Sequence, residues 1–145
     1  MLVSDKDRAL KKILLIEDDE YLRLLIERFL KSQGFNVLTA ENGFIGLILA
    51  KEQKPDLIVC DIKMPVLDGY GVLENIRKDF KIASIPVFFI SFYADDESIS
   101  RAYQLGVNDY LKKPLDLNEL LAKIKHKLNL TVDSWQWTVD SGQWT

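Results

Sequence analysis

The chain of 145 residues has one cysteine, four prolines and no apolar run near the about 18 residues that cross a membrane. One cysteine leaves no disulfide framework. Cys60 lies inside an apolar run and reads as a buried thiol in a reducing compartment. No signal-peptide pattern opens the chain. These absences predict a cytoplasmic protein with no membrane partner. An excess of basic residues is missing too: 19 Lys and Arg face 22 Asp and Glu, for a net charge of −3. That balance argues against a nucleic-acid surface, which usually needs a basic face. The basic cluster Lys123, Lys125, His126 and Lys127 suits the last turn of a helix and its dipole. The length and the 48% apolar share are those of a single globular domain with one real core.

The stretch that stands out is Leu57-Ile58-Val59-Cys60-Asp61. Apolar residues run straight into an acid, and a loop with Met64-Pro65 and Asp68-Gly69 comes next. This predicts a short strand, buried on both faces, with a carboxylate at the rim of a sheet. Four more such strands are expected, at 12–16, 35–40, 86–91 and 107–111. Helices are expected between them. One carries Leu22, Leu25, Ile26, Phe29 and Leu30 at helical spacing and stops at Gly34. The next starts at Asn42-Gly43 and ends before Pro55; a third runs from about 71 to 78 with Leu73 and Ile76 inward. A fourth opens on Asp95, Asp96 and Glu97 and stops at Gly106. The last opens at Asp116 with Glu119 three residues on, a capping-box spacing. Strand and helix alternate five times, which implies a parallel sheet covered on both faces. Residues 1–10 read as a flexible leader.

In a parallel sheet the C-terminal strand ends share one rim, where ligands sit. There the sequence places Glu17 and Asp18 after the first strand, Asp61 on the third, Ser91 on the fourth and Lys113 after the fifth. Clustered carboxylates need a cation, and all-oxygen ligands suit a hard ion such as Mg²⁺. An aspartate beside such an ion can attack phosphorus. The lysine would neutralise phosphoryl oxygens, and the serine hydroxyl could donate to one.

Glu17-Asp18, Asp61 with Met64-Pro65 and Asp68-Gly69, Ser91, and Tyr110 with Lys113-Pro114, in that order, resemble the receiver domain of two-component response regulators. The resemblance covers residues 11–130. It implies a flavodoxin-like fold, a doubly wound five-stranded parallel sheet of order 2-1-3-4-5 with five helices. It implies that Asp61 is the phosphoacceptor, receiving its group from a histidine kinase or phosphotransfer protein. The implied Mg²⁺ ligands are Glu17 (through water), Asp18, Asp61 and the backbone carbonyl of Lys63. Lys113, before a cis proline, and Ser91 would bind phosphate. Ser91 and Tyr110 would form the switch, with output on the fourth helix, fifth strand and fifth helix. The module would signal to a downstream protein or a second copy, catalysing only its own phosphorylation and dephosphorylation.

Singly, these residues have blander readings: Asp18 or Asp19 as a helix cap, Lys113 as surface charge, Tyr110 as core. A phosphohydrolase of the haloacid dehalogenase type also uses a strand-end aspartate, but it needs a second acid where this chain has Lys63. A receiver that binds partners without phosphorylation is the other alternative, and the full residue set argues against it. Phe92 and Tyr93 are bulky where the family usually has a small residue after the hydroxyl. Phe92 either gates access to the site or turns outward. The tail, 131–145, contains the units Val132–Thr138 and Val139–Thr145, which differ only at Trp135 and Gly142. It holds all three tryptophans and no cationic residue. Too few residues lie beyond the fifth helix for an output domain, so a stand-alone receiver is expected.

Overall fold

The computed structural model describes residues 11–130. The expected leader and the repeat tail lie outside the described residues. The element order is β1 Lys12–Ile16, α1 Glu20–Ser32, β2 Asn36–Ala40, α2 Gly43–Gln53 and β3 Leu57–Asp61. Then come α3 Gly69–Lys78, β4 Val87–Ser91, α4 Asp96–Gln104, β5 Asp109–Lys112 and α5 Leu117–Lys127. The strands form one parallel sheet in the order β2-β1-β3-β4-β5, the flavodoxin-like arrangement expected.

Strand side chains alternate between faces, and here both faces are buried. Ile58 and Cys60 of β3 and Phe89 of β4 join a core with Ala50 of α2, Leu73 and Ile76 of α3 and Ala102 of α4. Leu57 and Val59 of β3 join the opposite core, with Ile26 and Leu30 of α1 and Leu120 and Ile124 of α5. This two-sided burial is why the strands read as continuous apolar runs. Leu25, one of the apolar residues at helical spacing, sits on the outer side of α1 and is exposed. Each helical residue advances about 100°, and Ile26 and Leu30 already fill the stripe over the sheet.

The helix ends obey local chemistry. Asp19, Asn42, Asp68, Asp95 and Asp116 each cap a helix start through a side-chain oxygen. Asp68 starts α3 two residues earlier than expected. The stops at Gly34 and Gly106 use positive φ, with Phe35 and Val107 folding back onto Leu30 and Ala102 carbonyls. Asn129 plays the same part after α5 at φ 60°, a stop that sequence reasoning missed. β5 starts at Asp109 rather than Val107, because Val107 belongs to the stop of α4.

Candidate functional site

The sheet's order reverses between β1 and β3, and the acidic rim lies there. β1 delivers Glu17, fully buried, and Asp18, exposed. Asp61 closes β3 at 5% exposure. Carboxylate oxygens of Glu17, Asp18 and Asp61 lie within 4.8 Å of one another. Lys113, just past β5 and joined to Pro114 by the expected cis bond, reaches the same point. Its Nζ is 2.9 Å from Glu17 Oε1 and 3.3 Å from Asp61 Oδ1. Glu17 is held from its other side, where Oε2 accepts the Asp19 N–H at 3.0 Å.

The charges do not balance. Burial first, and then the Glu17 charge, push the Asp61 carboxyl up to about 7, with Lys113 opposing the shift. Burial works to lower the Lys113 ammonium, but its close contact with Glu17 and the Asp61 charge outweigh it and raise it. Glu17 Oε1 is buried and receives no well-aligned hydrogen bond, despite the nearby ammonium. An under-satisfied buried acceptor among three carboxylates is a donor set that fits a hard divalent ion.

The neighbouring loops complete the pocket. Gly69 must be glycine, because an added Cβ would lie 2.7 Å from both the Asp61 carbonyl oxygen and Ile62 Cα. Its N–H also bonds the Ile62 carbonyl at 2.7 Å, drawing the start of α3 onto the acceptor strand. Val66, between them, has φ 70°, an unfavourable conformation for a β-branched residue. Ser91 ends β4 and is buried. Its Oγ accepts the Tyr93 N–H at 3.0 Å. Tyr110, half-buried on β5, donates its O–H to the Tyr93 carbonyl and packs edge-on against Phe89 at 6.4 Å between centroids. A cleft of about 300 Å³ opens here, lined by Met64, Asp68, Tyr70, Ser91, Tyr93 and Ser98 among others.

The structure therefore brings together Glu17, Asp18, Asp61 and Lys113 at the acidic rim, with Ser91 and Tyr110 in the adjoining loop network. Lys63 is two residues past Asp61 with an exposed side chain, its Nζ 3.3 Å from the Tyr93 hydroxyl. Phe92 is 71% exposed, yet its ring centroid is 5.4 Å from Lys113 Nζ. The ring turns outward while flanking the lysine. Sequence reasoning missed the extent of Tyr93's connections. Its N–H meets Ser91, its carbonyl meets Tyr110 and its hydroxyl meets Lys63. Two of those bonds are made by its backbone, which no side-chain pattern signals.

The family model for the response regulator receiver domain matches residues 13–125. The chain belongs to this family. It is 42% identical over 114 residues to a probable transcriptional regulator, ycf29, of Porphyra purpurea, covering 79% of this chain and 54% of that protein. It is 34% identical over 120 residues to the DNA-binding dual master transcriptional regulator RpaA of Synechocystis, covering 83% and 50%. The chain thus spans about half the length of these curated relatives. A CheY-like receiver domain protein from Methanospirillum hungatei superposes with TM-score 0.78 at 29% identity, over 83% of this chain and 94% of that one. The receiver domain of sensor histidine kinase PA1611 from Pseudomonas aeruginosa has TM-score 0.74 and 32% identity, over 80% and 95%. That structure has a magnesium ion coordinated in its active-site cleft.

The receiver fold and family are as expected. The relatives' names run against the expectation of no nucleic-acid partner, since both are transcriptional regulators and one is DNA-binding. The charge reading bears only on the surface of this chain. Among the described residues, no helix is long and apolar enough to cross a membrane.

Proposed function

We propose that this receiver takes a phosphoryl group on Asp61 and uses it to switch a protein-binding surface. The observation that carries the reading is the cluster of buried Glu17 and Asp61 with exposed Asp18, and Lys113 Nζ 3.3 Å from the acceptor oxygen. Asp61 is the nucleophile. Its carboxylate oxygen forms the new P–O bond as the P–N bond to a phosphohistidine on a histidine kinase or phosphotransfer protein breaks, and the imidazole leaves with the bond's electron pair. Lys113 stays protonated and neutralises the phosphoryl oxygens. The Ser91 hydroxyl donates to one of them.

Glu17, Asp18, Asp61 and the Lys63 carbonyl would hold Mg²⁺, which supplies charge neutralisation for the phosphoryl group. The fit rests on the oxygen-only donor set and the under-satisfied Glu17 Oε1. Lys63 stands where the phosphohydrolase alternative needs an acid, which disfavours turnover of an external substrate. The signal would leave through Ser91 and Tyr110, because the Tyr93 backbone already joins them. Output would then use α4, β5 and α5, toward a downstream partner or a second copy.

The test is intact mass after incubation with Mg²⁺ and acetyl phosphate. The expected result is the gain of one phosphoryl group, absent in Asp61→Asn. Gain of the same mass by Asp61→Asn, or no gain by the native chain, would refute the assignment. Steady release of phosphate at enzymatic rates would favour the phosphohydrolase instead.

A further inference from the structure

A second cleft, about 630 Å³, lies beside the start of β5, at the opposite end of that strand from Lys113. Asp109 of β5, Lys123, His126 and Lys127 of α5 and Asn129 line it, together with Phe88 of β4, which is almost fully buried. Lys123 is engaged, its Nζ 3.1 Å from Asp109 Oδ2. Among the described residues, no side-chain hydrogen bond or ion pair engages His126 or Lys127. The cleft therefore offers net positive charge on α5 together with the aliphatic stems of Lys123 and Lys127.

The chain leaves α5 at this cleft. Asn129 turns it through a left-handed conformation, and its N–H bonds the His126 carbonyl at 3.2 Å. The Leu130 N–H then bonds the Lys125 carbonyl at 2.8 Å, and the Leu130 side chain is buried. Residue 131 thus begins from a fixed point beside the cleft. The segment 131–145 has the complementary chemistry: Trp135, Trp137 and Trp144, Asp133 and Asp140, and no Lys, Arg or His. At about 3.3 Å per extended residue, Trp135 can reach roughly 17 Å from Leu130. The helix from Lys123 to Lys127 spans only about 6 Å.

We propose that the unit 132–138 seats in the cleft between β5 and α5, with a tryptophan against the stems of Lys123 and Lys127 and Asp133 facing Lys127. Indole packing against lysine stems and ammonium groups stabilises such a contact, and it removes exposed apolar surface. The docked unit covers β5 and α5, two of the three elements proposed for output. Competition with an output partner rests on that proposed function, whereas the docking itself does not.

All three tryptophans lie in 131–145, so tryptophan emission from the full chain reports that segment alone. The experiment needs no phosphodonor. The expected emission is blue-shifted from that of the denatured chain, with acrylamide quenching several-fold weaker, and both are unchanged on dilution. The double variant His126→Glu/Lys127→Glu, with unchanged far-UV circular dichroism, should shift emission to the red and restore quenching. Ala122→Arg, which fills the cleft from α5, should do the same. Native emission equal to that of the denatured chain would overturn the proposal. So would a blue shift lost on dilution, which means a second copy is the partner, or one that survives both sets of substitutions.

Discussion

Two of the partly buried cations, Arg77 and Lys113, are treated in opposite ways. Arg77, near the end of α3, meets neutral acceptors. It donates to the Gly106 carbonyl from Nε at 3.1 Å and Nη2 at 2.8 Å, to the Ala83 and Ile85 carbonyls at 3.0 and 2.7 Å, and to Asn108 Oδ1 at 2.8 Å. Burial lowers its pKa, and no acid opposes that. Lys113 instead meets two carboxylates, Glu17 and Asp61, with Asp18 beside them. Arg77 ties α3, the approach to β4 and the α4–β5 turn into one piece with its hydrogen bonds matched. Lys113 is outnumbered, which leaves negative charge at the rim that a bound cation would compensate. A cation matched to neutral acceptors fixes the fold, while carboxylates in excess of their cation make a place that a further cation fits.

The sharpest way to break this comparison is to neutralise each cation in turn. Lys113→Met should slow phosphorylation by acetyl phosphate by about 10²–10³-fold, the usual cost of removing one preorganised charge from a transition state. Arg77→Met should leave that rate near native at temperatures where it is folded. Time-resolved intact mass measures both. Equal losses in the two variants would show that the distinction between fixing and reacting is wrong.

The next effect is the pH dependence of stability. Asp61 rises from an ordinary 3.8 to about 7 in the fold. A raised pKa means the native state holds its proton more tightly than the unfolded chain. The associated stability is complete below about 4 and is lost as pH rises through 7. At about 1.4 kcal/mol per pKa unit the total is roughly 4 kcal/mol. Urea melts in chelator should therefore show stability falling between pH 4 and 7. Asp61→Asn should flatten that fall, and Mg²⁺ should offset it most at pH 8, where no proton competes. A slope of the same size in Asp61→Asn would assign it to other groups.

Somewhat smaller is the structural cost of Arg77→Met. It leaves several carbonyls without their donor, and each unsatisfied buried acceptor costs about 1–3 kcal/mol when water cannot reach it. The Arg77 site is only half-buried, so water will satisfy part of the set. A net loss of about 2–4 kcal/mol is expected from the midpoint of urea unfolding. Arg77→Lys should recover little of it, because one ammonium cannot reproduce the planar fork.

The contrast between the two cations also marks what could be read from the residues alone. Lys113 was legible because it stands beside Pro114 after an apolar strand, and the rim of a parallel sheet gathers strand ends automatically. Asp61, Glu17 and Ser91 were legible for the same reason. Arg77 carried no such signal. Its partners are backbone carbonyls of Ala83, Ile85 and Gly106, and a carbonyl looks alike after every residue. Tyr93 escaped in part for the same reason. Leu25 shows that helical spacing gives a stripe's period but not its width. Asn129 was missed because the left-handed stop was sought only at glycine.

The smallest effect expected is at Phe92. Its ring is largely in water, so truncation to alanine removes little buried surface. The lost contact is a cation–π pair, with Lys113 Nζ 5.4 Å from the ring centroid. At an exposed site such a pair contributes about 0.5–1 kcal/mol. Phe92→Ala should therefore lower stability by less than about 1 kcal/mol. The ring flanks the ammonium assigned to the phosphoryl oxygens, so it also limits which directions of approach to that group are open. Loss of the aspartyl-phosphate, tracked by intact mass after removal of donor, should run about 2–4-fold faster in Phe92→Ala, an effect of at most about 1 kcal/mol on the barrier. Ring and methyl group differ in bulk where water must pass, whereas Phe92→Leu keeps most of the bulk and none of the cation–π attraction. If Phe92→Leu restores the native lifetime, the ring acts by obstruction. If it matches Phe92→Ala, the ring acts by holding Lys113. Unchanged lifetimes in both variants would mean that Phe92 has no part in the site, leaving only its outward orientation.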